Sequence, residues 1–232
     1  MFKLSSAQLL RRLNMNKIKL LYDVVMTMRN KEALHGVLTA EAQKNRVNIF
    51  TIRNEFDKNL QTGLTKAKIS TEINYEGKMV KHESNTEFTL PNCSEGRHCE
   101  FIKSMHGDHS AGCGGLKGVL SKLSLALAIL NALQAEEQES KSVVMSLNAD
   151  DLPEDTKKLL CEKMSQSSSC GHGGHGFIKE FCSVDKLDFL LKMFVNKKSE
   201  VEKILITFGG SKNDGQKEQH DLKATAELSF SW

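Results

Sequence analysis

Thr65-Lys66-Ala67-Lys68-Ile69-Ser70-Thr71-Glu72-Ile73-Asn74-Tyr75 alternates without a break. Thr65, Ala67, Ile69, Thr71, Ile73 and Tyr75 take one parity, and Lys66, Lys68, Ser70, Glu72 and Asn74 take the other. Side chains of a strand point alternately to the two sides of a sheet, so this stretch reads as a strand with one buried face and one wet face.

The same period extends outward in both directions. Upstream, Leu34, Gly36, Leu38 and Ala40 alternate with His35, Val37, Thr39 and Glu41, and Val47 to Phe56 is a second β-rich run. Downstream, Glu76-Gly77-Lys78 supplies a turn, and Val80, His82, Ser84, Thr86, Phe88 and Leu90 resume the alternation. Ser142 to Leu147 is a further strand. A closing meander follows through Leu187–Val195, the turn Asn196 to Ser199, Ile204–Phe208, a loop from Gly209 to Gln216, and Leu222–Trp232, with Trp232 expected in the core.

Three segments instead follow the helical period. Leu9, Leu10, Leu13, Leu21, Val24, Val25 and Met28 mark an amphipathic helix between Ser6 and Asn30. Leu116 to Leu133 is apolar nearly all round in its second half. A third helix is expected to start in Asp150-Asp151-Leu152-Pro153-Glu154, which offers an N-cap aspartate and an early proline, and to run through Met164, with Asp150, Asp151, Glu154 and Asp155 as helix-start residues rather than an acid/base pair. The expected fold class is α+β: a long, curved antiparallel sheet of about eight strands, of half-barrel type, packed against amphipathic helices. It forms one domain over residues 1–232.

Hydrophobic residues at 39% and charged residues at 26% are those of a folded chain, and two prolines argue against a disordered linker. Lys+Arg (32) and Asp+Glu (29) nearly balance and are dispersed, and no basic run is interleaved with aromatics, which argues against nucleic acid as partner. The longest apolar stretch, Leu123 to Leu133, falls short of a transmembrane span. Arg11, Arg12, Lys17 and Lys19 interrupt the apolar residues near the start, so no signal peptide is read there. The expected location is therefore cytoplasmic, or envelope or secreted for a processed form. In a reducing compartment the six cysteines would be thiols or metal ligands.

Two loops rich in His, Cys and Gly, at 92–115 and 165–182, break this pattern. The first carries Cys93, His98, Cys99, His106, His109 and Cys113; the second carries Cys170, His172, His175 and Cys182. Imidazole and thiolate suit zinc or another transition metal, and His-x-x-His occurs twice. Glycines such as Gly107, Gly114, Gly173 and Gly174 let the backbone fold tightly round an ion. The paired Cys-x-x-Cys of zinc fingers is missing, so disulfides or an unliganded polar loop stay open as alternatives. Cys161 reads as a buried helix residue, and His35, His82 and His220 as strand histidines.

The order of elements resembles the LolA/LppX-type lipoprotein-carrier half-barrels. Two stretches carry the resemblance: Val143-Val144-Met145-Ser146-Leu147-Asn148-Ala149-Asp150-Asp151-Leu152-Pro153, a strand leading into a Leu-Pro-acid helix, and Phe194-Val195-Asn196-Lys197-Lys198-Ser199-Glu200-Val201-Glu202-Lys203-Ile204, a hairpin turn. The resemblance implies a concave sheet that holds lipid or acyl chains under its helices. The chain differs in showing no export signal or lipid-attachment cysteine near its start, and in its His/Cys loops.

No Gly-x-Ser-x-Gly or Walker loop occurs, and no catalytic residue is assigned; a thiol-dependent enzyme would need a cysteine beside a histidine base. The leading expectation is a non-enzymatic protein whose two loops meet at one edge of the sheet and bind a metal such as zinc. The alternative is a carrier of a hydrophobic ligand or lipid, held against the sheet under Leu120, Leu123, Leu127 and Leu130.

Overall fold

The period-two segments pair through short turns whose chemistry is visible residue by residue. The computed structural model describes residues 17–75, 77–89, 116–158, 186–213 and 219–232, and leaves out the side chains of 116–123, 186–187, 212–213 and 219. Strands β1 (Ala33–Lys44) and β2 (Val47–Asn59) join through Asn45 and Arg46, whose φ angles of 52° and 66° give the doubly left-handed turn that matches strand twist. Asn45 anchors it: its N–H donates to the Asp221 carbonyl at 2.8 Å, and its Oδ1 accepts from the Asp221 N–H at 2.9 Å. β3 (Leu64–Tyr75) follows a loop in which Asn59 Oδ1 accepts from the N–H groups of Gln61 and Thr62 at 2.9 and 2.8 Å. Gly63, at φ 75°, supplies the left-handed residue that ends it.

β4 (Lys78–Thr89), β5 (Gln134–Glu137), β6 (Val143–Asn148), β7 (Lys186–Val195), β8 (Val201–Asn213) and β9 (Gln219–Ser231) complete the sheet. The described residues form one antiparallel sheet of nine strands in the order β4-β3-β2-β1-β9-β8-β7-β6-β5, and the fold is mainly β. Two hairpin series are sutured where β1 meets β9, from His35 opposite Ser231 to Lys44 opposite Leu222.

Several expectations change. The sheet gains β5, a four-residue strand read as loop because three of its residues, Gln134, Glu136 and Glu137, are polar. β8 and β9 run to Asn213 and from Gln219, so Gly209 and Gly210 lie within a strand rather than in the hairpin loop. Trp232 is 37% exposed instead of buried; its indole N–H donates to the Val201 carbonyl at 3.0 Å. Asp150 and Asp151, expected to start a helix, lie instead in a 3-10 turn over Ala149–Asp151 that Asn148 caps, its Oδ1 accepting from the Asp150 N–H, and the described helical residues are 154–158.

Two longer helices are described, α1 (Lys17–Arg29) and α2 (Leu116–Ala132). α1 turns Val24 into the core, with Leu20, Leu21 and Met28 packed beside it. Val25, expected on that stripe, is instead 60% exposed. It sits a turn of 100° per residue away from Val24 and shares a side with Ile18 and Tyr22. The main core also holds Ala132, Leu133, Ala135, Val143, Met145, Leu147, Leu152, Val195 and Val201, so it lies toward the β5 edge of the sheet. A smaller cluster of Ala42 and Ile49, packed by Phe50, Ile73, Tyr75 and Ala224, holds the β1–β2 turn against β3 and β9. No helix among the described residues is long and apolar enough to cross a membrane.

Candidate functional site

Antiparallel partners opposite each other share a sheet face, so the register identifies each face directly. One row crosses all nine strands: Ala135, Met145, Met193, Ile204, Leu228, Leu38, Asn54, Ile69 and Ser84 are successive partners. The next row on the same face runs Leu147, Leu191, Ile206, Ala226, Ala40, Ile52, Thr71 and His82. Toward β2 a third row adds Phe230, Gly36, Phe56 and Ala67. Apart from Asn54 and Thr71, these rows are apolar from β5 to β3.

Coverage of this face is uneven. Met145 is fully buried where α1 and the end of α2 pack, through Val24, Ile129 and Ala132. Ile206, two strands away, is 41% exposed, and Leu38, Ala40, Ile52, Ile69, Ala226 and Leu228 are half-buried. Eight strand spacings make the sheet roughly 38 Å wide, whereas a helix of α1's length covers a strip about 20 Å long and 10 Å across. Among the described residues, then, the helices cover one end of the apolar face and leave its middle accessible.

Asn54 interrupts the first row between Leu38 and Ile69, and its Oδ1 is buried with no hydrogen-bond partner among the described residues. A buried polar atom without a partner carries a desolvation penalty of about 1–3 kcal/mol. Sequence reading passed over Asn54. The signal was present, since it occupies the parity of Phe50, Ile52 and Phe56 in a run where an apolar side chain is expected.

The opposite face is charged and wet. His35 Nδ1 and Asp57 Oδ1 lie 2.7 Å apart, Lys81 and Glu72 3.0 Å, Lys203 and Glu227 3.5 Å, and Lys66 and Glu87 3.6 Å. The Arg53 guanidinium donates to Glu55 Oε1 at 2.7 and 3.0 Å, and this hydrogen bond and charge hold the Glu55 carboxyl below the usual carboxylate range. A cavity of about 450 Å³ opens here beside Arg53, Glu55, Lys68, Ser70, Glu83 and Asn85. A second, of about 520 Å³, lies at the β5 edge beside Lys17, Glu136, Ser146, Lys192 and Phe194. The first is bordered mainly by charged and polar groups, and the second mixes these with Ala135, Val144 and Phe194, so neither is the dominantly apolar pocket expected for a hydrophobic ligand.

Cys93, His98, Cys99, His106, His109, Cys113, Cys170, His172, His175 and Cys182 all lie outside the described residues, as do Cys161 and the side chains of Leu120 and Leu123. Of the predicted ligand-facing leucines, Leu127 is 49% exposed and Leu130 is half-buried. Among the described residues no three His, Cys, Asp or Glu side chains cluster as metal ligands. The anchors of the two loops can be placed. The first leaves β4 at Thr89, which pairs with Leu64 at the sheet end where β1 begins. The second enters β7 at Lys186, which pairs with Ser211 at the opposite end. β4 and β7 are six strand spacings apart, roughly 29 Å across the sheet.

No protein-family model matches the chain, and no curated protein matches it. Among solved structures it is similar to an N-terminal dehydratase from the difficidin assembly line, at 10% identity, 90% of this chain, 82% of that one and a TM-score of 0.17. It is likewise similar to the bifunctional dehydratase-cyclase domain in ambruticin biosynthesis, at 12% identity, 92% of this chain, 80% of that one and a TM-score of 0.16. Scores this low establish neither a shared fold nor a shared activity.

Proposed function

We propose that the chain is a non-enzymatic carrier of a hydrophobic ligand, with acyl chains laid on the apolar face of the sheet beside α2. The observation that carries this reading is the uninterrupted apolar row from Ala135 to Leu38 and its neighbour from Leu147 to Ile52, wider than the described helices cover. Exposing so much contiguous apolar surface is unfavourable in water at about 25 cal/mol per Å², which an occupant would offset.

Topology adds support. β4 and β5 are the two edges of the sheet, and the chain between Thr89 and Gln134 connects one to the other. Its last part is α2, whose Ile129 and Ala132 pack on the apolar side with Val143, Met145 and Leu147. The half-barrel resemblance carried by Val143–Pro153 and Phe194–Ile204 implies helices over a concave sheet, and the proposal gives α2 that role.

The test is solvent extraction of protein purified without detergent, followed by mass spectrometry. Acyl-containing material near one equivalent supports the reading. A lipid-free protein that also takes up none from vesicles ends it.

A further inference from the structure

The two edges of the sheet are unlike. β5 has four residues and ends in Glu136 and Glu137, a blunt edge of the kind that discourages further pairing. β4 has twelve residues and forms the other edge, with no strand beyond it among the described residues. Met79, Val80 and Phe88 on it are 61%, 54% and 43% exposed. A long edge strand with exposed apolar side chains is a template for adding a strand.

Its charges select the occupant. Lys78 and Lys81 lie in the first half of β4, Glu83 and Glu87 in the second. A second β4 laid antiparallel therefore sets basic against acidic, whereas a parallel copy sets like against like. With Ser84 opposite its own copy, Lys81 faces Glu87 on the charged side of the sheet and Val80 faces Phe88 on the apolar side, each pair occurring twice by symmetry. Sliding by one residue pair in one direction sets Glu83 against Glu83, and in the other sets Glu83 against Glu87; both are repulsive.

From this we infer that the chain pairs with a second copy of itself through β4, centred on Ser84, so that two sheets become one with their apolar faces on the same side.

Sedimentation equilibrium of the full chain at low salt tests it by charge exchange. Lys81→Glu and Glu87→Lys should each weaken association by about tenfold or more, because each change enters the interface twice. The combined Lys81→Glu/Glu87→Lys protein should regain it. Within one chain that double change sets a carboxylate at position 81 beside Glu72 and an ammonium at position 87 beside Lys66, where native pairs stand at 3.0 and 3.6 Å, so recovery cannot come from intrachain contacts. A monomeric wild type, single variants that associate as wild type does, or a double variant as weak as the singles would overturn the inference.

Discussion

Lys31, just past α1, and Glu200, in the β7–β8 turn, form an ion pair across 169 positions of sequence. Asn196 Nδ2 donates to the second carboxylate oxygen of Glu200 at 2.9 Å, and the Lys31 ammonium lies 5.3 Å from the centre of the Trp232 ring. Trp232 stacks on Phe230 at 5.7 Å between ring centres. The pair thus ties the helix exit to a hairpin turn, and its ammonium extends the contact to Trp232 just past β9.

The amide of Asn196, then the ammonium of Lys31, favour the charged form of Glu200 and hold its pKa below the ordinary value. With the folded pKa lowered, the unfolded chain binds more protons as the pH falls. The stabilisation is complete above the unfolded pKa and is lost as pH falls through the lowered folded one. Thermal midpoints of wild type and Glu200→Gln, measured from pH 7 downward, should therefore be furthest apart near neutrality and converge in acid. A constant separation across the series would contradict this.

Gly36 is the close-approach position of the apolar face. A Cβ built there would lie 2.4 Å from Phe56 Cζ and 2.8 Å from Cε1, inside the ring's contact distance. Gly36→Ala should cost about 1–3 kcal/mol in urea unfolding, as overpacking does. In a Phe56→Ala background the same change should cost nearly nothing. Additive costs in the double variant would show that the ring is not the obstacle.

The β1–β2 turn offers a stabilising change. Arg46 holds φ 66°, a left-handed conformation that costs a non-glycine residue about 1–2 kcal/mol, and Asn-Gly is the preferred pair for this turn. Arg46→Gly should raise unfolding stability by about 0.5–1 kcal/mol, once the greater freedom of glycine in the unfolded chain is set against the relieved strain. A loss of stability would mean that the arginine side chain makes a contact worth more than that strain.

Where a side-chain pattern alone determined the structure, the sequence was legible. Thr65 to Tyr75 shows it: Thr65 and Ala67 are buried, while Lys66 and Lys68 are exposed. Where a partner decided, it was not. Gln134–Glu137 becomes a strand because Val143–Ser146 lies beside it. Gly209 and Gly210 are extended because Asp188 and Leu187 stand opposite on β7, overriding the loop tendency of paired glycines. Trp232 falls just past a strand end, where its ring stacks on Phe230 yet stays 37% exposed. For the site, the apolar parity of each strand was readable, but not that the rows join across β1 and β9 into one face, since that depends on pairing between the two ends of the chain.

That joined face is best tested by titrating a fluorescent polyene fatty acid into wild type and Ile206→Lys. Ile206 sits in the accessible middle of the face, away from the fully buried Met145, so a lysine there charges the surface without opening the main core. Saturable uptake by wild type, weakened about tenfold or more by Ile206→Lys with its thermal midpoint little changed, is the predicted result. Equal uptake by both proteins, or none by either, would contradict an acyl chain resting on this sheet.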